Sequence, residues 1–348
     1  MALIVRKYGG SSVASIEKIK KIARQVKSLH DEGNKLVLVV SAMGETTDNL
    51  LKQAAKISDR PDKRELDMLL SIGERKSISL TSLALNALGV ECQSFTGSQV
   101  GIITDNQHGN ATIIEIKADR IEHALNQNKV VIVAGYQGVS IEKEITTLGR
   151  GGTDTTAVAL AARLKADRCE LMKDVDGLFN VPPKFLENAR LRSEVSLAEM
   201  KEIAQAGNEI IAAPAIDFAI KGQVKLSIGN TFTNKIGTSI VVEDKRQAGI
   251  SQVILKKCTI STDQDFKPNS RMIQFNSEKL LIHLDPDNKS TNSIFLTLLG
   301  KQLFDLNDQI QSLYKHSLFS SINNDKAEFL YPKEYEDELI KILEEIAN

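Results

Sequence analysis

Continuous apolar runs, each closed by a short polar loop and followed by a helical period, fill the first two thirds of the chain. Leu3-Ile4-Val5 opens the series and runs into Lys7-Tyr8-Gly9-Gly10-Ser11-Ser12. Ile16, Ile19, Ile22, Ala23 and Val26 then recur at helical spacing. Leu36-Val37-Leu38-Val39-Val40 and Val130-Val131-Ile132-Val133 show no alternation, as expected of parallel strands covered on both faces. Each ends in small and polar residues, Ser41 to Asp48 and Ala134 to Val139. Met68 to Arg75 reads as helical, and Ser196 opens a further helix that stops near Gly207. Val224-Lys225-Leu226-Ser227-Ile228 and Gly237 to Val242 supply the last strands. The order predicts an α/β fold with an open, mainly parallel, doubly wound sheet, whose ligands lie over the carboxyl ends of the strands.

After the polar stretch Glu243 to Gln247 the pattern changes. Short alternating segments (Leu280 to Leu284, Gln309 to Tyr314) sit among helical ones, Ser293 to Leu303 and Tyr335 to Ile346. The reading is two domains, 1–243 and 250–348, the second a small α+β module with nothing catalytic in it.

Composition removes several classes. A net charge of −1 offers no basic field for nucleic acid or a membrane surface. No stretch reaches the roughly 20 apolar residues of a membrane span, and the N-terminal apolar run is too short for a signal peptide. Cys92, Cys169 and Cys258 are far apart, and the five histidines show no metal-ligand spacing, so no protein-held metal is expected. Free thiols and these absences point to a cytoplasmic protein.

Chemistry concentrates in the loops. Thr146 to Thr156 carries three glycines, Arg150, Asp154 and a cluster of hydroxyls just before the apolar run Ala157 to Ala162. Glycines admit an anion close to the backbone, and a helix N-terminus presents unpaired N–H groups to it. Arg150 adds a planar fork suited to carboxylate or phosphate. The plainer alternative is a turn before a helix capped by Thr153 or Asp154. At the first loop, Lys7 beside Gly9-Gly10 suits a phosphate, although the P-loop pattern is missing.

These loops together resemble those of the aspartokinases, of the monofunctional, regulated bacterial type. Lys7 to Ser12 is similar to that family's K-[FY]-G-G-[TS]-S opening. Ser41 to Asp48, Gly73-Glu74-Arg75, Phe95 to Gln99, Gly135 to Val139 and Thr146 to Asp154 follow in the family's order. The resemblance implies the three-layer amino-acid kinase fold with an ACT-like second domain. It implies transfer of the ATP γ-phosphoryl group to the side-chain carboxylate of L-aspartate, Mg2+ arriving on the nucleotide, and a homodimer or higher homo-oligomer. By matching position, Lys7 and Asp154 would be catalytic. Thr47, Glu74, Arg150, Gly151, Gly152 and Thr153 would bind substrate. Lys7, Gly9, Gly10, Ser41, Lys173, Asp174, Phe179 and Lys184 would bind nucleotide.

The chain departs from the pattern on the nucleotide side. Lys173 stands where the family has a hydroxyl, Phe179 where it has tyrosine, Lys184 where it has arginine, and Glu209 where it has lysine. Near a triphosphate each unit of unfavourable charge costs roughly 2–3 kcal/mol at ~6 Å and an effective dielectric of ~20. Lys173 is the residue placed to compensate. The 100 or so residues after the linker leave room for little more than one of the two tandem ACT modules usual in the family. Three readings stay open: an active aspartate kinase, a non-catalytic paralogue serving as regulatory or assembly partner, and a kinase for another acid.

Overall fold

The structure is a computed structural model. It describes the whole chain except residues 184–185, 187–188, 209, 245–248, 262–269, 276–277, 284–292, 302, 304–310, 315–316, 318, 324 and 348. Two compact units form: Met1–Leu178 with Arg192–Ala204 and Glu209–Asp244, and Phe179–Leu191 with Gln205–Asn208 and Lys245–Asn348.

In the first unit the apolar runs become β1 (Leu3–Tyr8), β2 (Lys35–Val40), β3 (Cys92–Phe95), β6 (Val130–Ala134) and β9 (Arg168–Lys173). Between β3 and β6 lie β4 (Ile102–Thr104) and β5 (Ile113–Ile116). After β6 come β7 (Gln137–Ser140) and β8 (Ile145–Thr147), and after β9 come β10 (Glu194–Ser196), β11 (Leu226–Asn230) and β12 (Lys235–Val241). The main sheet runs β10-β12-β11-β9-β1-β2-β6-β3, parallel except where β12 turns back on β11. The second sheet runs β5-β4-β7-β8. The helices are α1 (Ile16–Asp31), α2 (Thr46–Ala55), α3 (Lys63–Leu70), α4 (Ile72–Asn86), α5 (Asp119–Asn126), α6 (Gly152–Leu164), α7 (Leu197–Gln205) and α8 (Ala213–Gly222).

Strand period two sorts the main sheet into faces. Ile4, Tyr8, Leu36, Leu38, Val40, Val130 and Ile132 pack with Ile19, Ile22 and Val26 of α1 and Ile78 and Leu85 of α4. The opposite residues of β1, including Lys7, look toward α6. Chain order reverses between β1 and β9, which places the switch point of the sheet between their carboxyl ends. Among the described residues no helix is long and apolar enough to cross a membrane. Cys92 and Cys169 are free, and the side chain of Cys258 lies outside the described residues.

Two expectations change here. Met68 to Arg75 is not one helix but the meeting of α3 and α4 at Ser71, whose hydroxyl donates to Met68 O (2.9 Å) and whose carbonyl accepts from Gln137 (3.0 Å). The cap of α6 is Gly151 at φ +76° rather than Thr153 or Asp154, because both of those side chains are engaged elsewhere.

The second unit holds a six-stranded sheet of β13 (Gly249–Ser261), β14 (Ser270–Phe275), β15 (Glu278–His283), β16 (Ser293–Lys301), β17 (Phe319–Ile322) and β18 (Lys326–Pro332), with α9 (Glu336–Ala347). Its order is β14-β15-β13-β16-β18-β17. The expected helix from Ser293 is thus a central strand, paired on both sides and buried from Ser293 to Gly300. Gln311–Tyr314 is a short 3-10 turn rather than a strand. Val181 and Leu186 join its core beside Leu296, Leu298 and Phe329, although they precede the expected boundary at 243.

Candidate active site

The loops after β1, β2 and β6 meet the α3–α4 junction and the start of α6. Their close approach is steric in origin. A Cβ on Gly10 would stand 3.0 Å from the carbonyl oxygen of Ala42, one on Gly73 2.7 Å from the Ala42 methyl, and one on Gly135 2.4 Å from Thr153 Cγ2. The first loop leaves β1 at Gly9-Gly10 and reaches α1 only after Ser15, whose hydroxyl caps that helix at Lys18 N–H (3.3 Å). Gly44 N–H donates to Gly10 O (3.0 Å), and Ser41 donates its hydroxyl to Thr153 (2.9 Å), tying the second loop to the first and to α6.

Asp154 is the hub. It lies in the first turn of α6, 4% exposed, with Lys7 Nζ 2.7 Å from Oδ1 and Lys173 Nζ donating to Oδ2 at 3.0 Å. Burial alone would raise this carboxyl, but the charges of Lys173 and Lys7 override it and hold it at about 2. Burial lowers Lys7 below the ordinary lysine value, and the charge of Asp154 opposes that shift. The Lys7 side chain is 8% exposed and that of Lys173 16%.

Glu74 supplies the other polarity. It begins α4, is 3% exposed, and accepts Ala42 N–H on Oε1 at 3.0 Å. Among the described residues Oε2 has no hydrogen-bond partner, and burial pushes the carboxyl up to about 7. A buried carboxyl with one open oxygen is suited to receiving a cationic donor.

Arg150 is exposed on the turn before α6, between Gly149 at φ +71° and Gly151 at φ +76°, a backbone path that side chains at the flanking positions would strain. Gly152 is buried at the start of α6. Thr47 stands half-buried in the first turn of α2. Asp174 is exposed just past β9. Phe179 belongs to the second unit, where its backbone bridges Leu191. Lys184 and Glu209 lie outside the described residues. Among the described residues, no three His, Cys, Asp or Glu side chains gather closely enough to hold a metal ion.

Two features had no place in the sequence reading. Asp67 on α3 is fully buried and accepts from His108 Nδ1 (2.8 Å), from Gly109 N–H (3.1 Å) and from the Thr147 hydroxyl. It ties the helix leading to Glu74 to the loop whose Asn110 packs beside Gly149. On the opposite face of β1, Arg6 donates Nε to Glu170 Oε2 (2.6 Å) and Nη1 to Asn234 (2.8 Å), while Arg168 takes Glu170 Oε1 (2.6 Å). Arg6 and Glu170 are register partners on β1 and β9, so this pair clamps the two strands that carry Lys7 and Lys173.

The chain is 47% identical over 242 residues to the aspartokinase of Mycobacterium tuberculosis, covering 69% of this chain and 58% of that protein. A solved aspartate kinase from Synechocystis is 30% identical with a TM-score of 0.64, covering 98% of this chain and 68% of that one. A solved E. coli aspartokinase III in complex with aspartate and ADP shares the fold at a TM-score of 0.80 and 19% identity, over 99% of this chain and 100% of that one. The chain spans less than two thirds of the length of the curated relatives it matches at 47% identity. A model of the amino acid kinase family matches residues 2–230, well over half of the 348, and the chain therefore belongs to the amino acid kinase family.

Proposed function

We propose that this protein transfers the γ-phosphoryl group of ATP to the side-chain carboxylate of L-aspartate, giving 4-phospho-L-aspartate. The observation that supports the reading is a chain of contacts linking opposite polarities. Two ammonium groups converge on Asp154, its neighbour Thr153 bonds Ser41, and Ala42 N–H bonds the buried Glu74 carboxyl, whose other oxygen is open among the described residues.

The chain's residues divide the work accordingly. Glu74 receives the substrate ammonium, and that cation pulls the carboxyl back to its ionised form, releasing the proton it holds near pH 7. Arg150 clamps the α-carboxylate with a fork that lysine lacks. Thr47, Thr153 and the Gly151-Gly152 backbone orient the amino acid. Gly9 lets a phosphate approach the backbone beside Lys7, with Gly10 packed on the Ala42 carbonyl and with Ser41 and Asp174 at the margin. Lys7, whose ammonium form Asp154 favours at 2.7 Å, stabilises charge on the phosphoryl group in flight. A carboxylate oxygen forms the new P–O bond while the bond to ADP breaks, with no net proton change. Mg2+ held by the nucleotide's phosphates would supply charge neutralisation; among the described residues no cluster of three His, Cys, Asp or Glu would hold it directly.

The reading also places catalysis in residues 1–243, an ACT-like regulatory or dimerisation module in 250–348, a homodimer or higher homo-oligomer in solution, and the chain in the cytoplasm. The test is ADP release from Mg·ATP by the purified protein. Release that requires L-aspartate and falls at least a hundredfold in Lys7→Ala, as removal of one transition-state donor does on the order of, supports it. Release independent of L-aspartate overturns it.

A further inference from the structure

We propose that Lys173 is a phosphate-binding residue, held in place by Asp154 as the second of two cations over the switch point of the sheet. The inference rests on the kinase reading and deepens it. β1 and β9 are parallel neighbours with Lys7 level with Leu171. Paired residues on parallel strands share a face, and so do residues two apart. Lys173 therefore projects from the same face as Lys7, two residues nearer the carboxyl edge, and both reach one carboxylate, at 2.7 and 3.0 Å. Its backbone is fixed as well: Thr231 N–H donates to Lys173 O at 2.7 Å, and Ser12 of the glycine loop meets the Thr231 hydroxyl at 2.7 Å.

The charge balance asks for an anion. One buried carboxylate faces two ammonium groups, leaving an excess positive charge in a nearly closed site. Asp174 adds a negative charge from an exposed position, where water screens it. Uncompensated buried charge is costly, and a phosphate arriving at Gly9-Gly10 completes the set. The Lys7 side chain is 8% exposed and that of Lys173 16%, so Lys173 is the more accessible of the two cations to an incoming nucleotide. A lysine at this position also answers the basic residue that Glu209 replaces on the nucleotide side.

The experiment is direct titration of the full chain with Mg·ADP and, separately, with L-aspartate, for the parent, Lys173→Met and Lys173→Arg. Losing a charge-assisted contact should weaken Mg·ADP roughly tenfold to hundredfold. L-aspartate affinity should hold, the salt dependence of ADP binding should flatten, and Lys173→Arg should recover most of the ADP affinity. Equal ADP affinity in Lys173→Met overturns the proposal while leaving the kinase reading intact, provided aspartate-dependent turnover persists. Parallel weakening of both ligands with a lowered melting temperature overturns it too, since that marks a structural ion pair. A parent chain that binds no Mg·ADP removes the kinase reading and this inference together.

Discussion

Replacing Glu74 by glutamine should make the ligand-free protein more stable and its substrate site worse. The carboxyl is 3% exposed and holds its proton up to about pH 7 instead of 4.5. At 1.36 kcal/mol per pH unit, that displacement is worth about 3 kcal/mol. The native state binds the extra proton between pH 4.5 and 7, so stability is fullest below 4.5 and is lost as pH rises toward 7. Above that, the folded protein carries a buried carboxylate with one unpartnered oxygen. Glutamine keeps the acceptor for Ala42 N–H and never ionises. Melting curves of ligand-free protein should therefore coincide at pH 4.5, and the variant should melt about 6–12 °C higher at pH 8, at roughly 2–4 °C per kcal/mol for a unit of this size. L-aspartate should bind the variant more than tenfold worse, because a charged acceptor has gone. Coincident melting at both pH values, or a variant less stable at pH 8, would refute the reasoning.

Other changes test the framework around the site. Gly73→Ala gains about 1 kcal/mol of helix propensity but drives a methyl to 2.7 Å from Ala42. Overpacking of about 1–3 kcal/mol wins, so urea unfolding should shift to lower midpoint and L-aspartate should bind less tightly. Glu170→Ala strands Arg6 inside the sheet, 4% exposed, and should cost about 3–5 kcal/mol in the same unfolding assay. Asp67→Asn turns an acceptor of three donor groups into a poorer one and should cost about 1–3 kcal/mol. Because it loosens the Arg150 turn, the Michaelis constant for L-aspartate should rise while that for ATP holds.

What was legible in the sequence was local. Gly9-Gly10 and Ser41 to Asp48 end apolar strands, and a parallel sheet brings strand ends together without further instruction, while Thr146 to Asp154 was marked by its glycines and hydroxyls ahead of an apolar helix. Lys7, Glu74 and Asp154 could be named because their loops carry recognisable spacing. Asp67, Arg6 and Glu170 could not, since a charge buried by a partner 41 or 164 residues away leaves no mark on its neighbours. Lys173 was visible as an oddity, but its bond to Asp154 needed the register of β1 and β9. Ser293 to Lys301 failed for a related reason. Its apolar run is buried throughout, so it shows neither period, and only pairing with β13 and β18 decides for a strand. The α6 cap was misplaced because Thr153 and Asp154 spend their side chains on the site instead of the helix end.

The most direct test of the central claim is to trap the product's acyl phosphate. Carboxyl phosphates react with hydroxylamine to give hydroxamates, which ferric ion colours, whereas phosphate esters do not. Purified protein with Mg·ATP, L-aspartate and hydroxylamine should give hydroxamate in step with ADP, and Lys7→Ala should give neither. ADP formation that depends on L-aspartate yet yields no hydroxamate would mean that the carboxylate is not the acceptor, and would contradict the account.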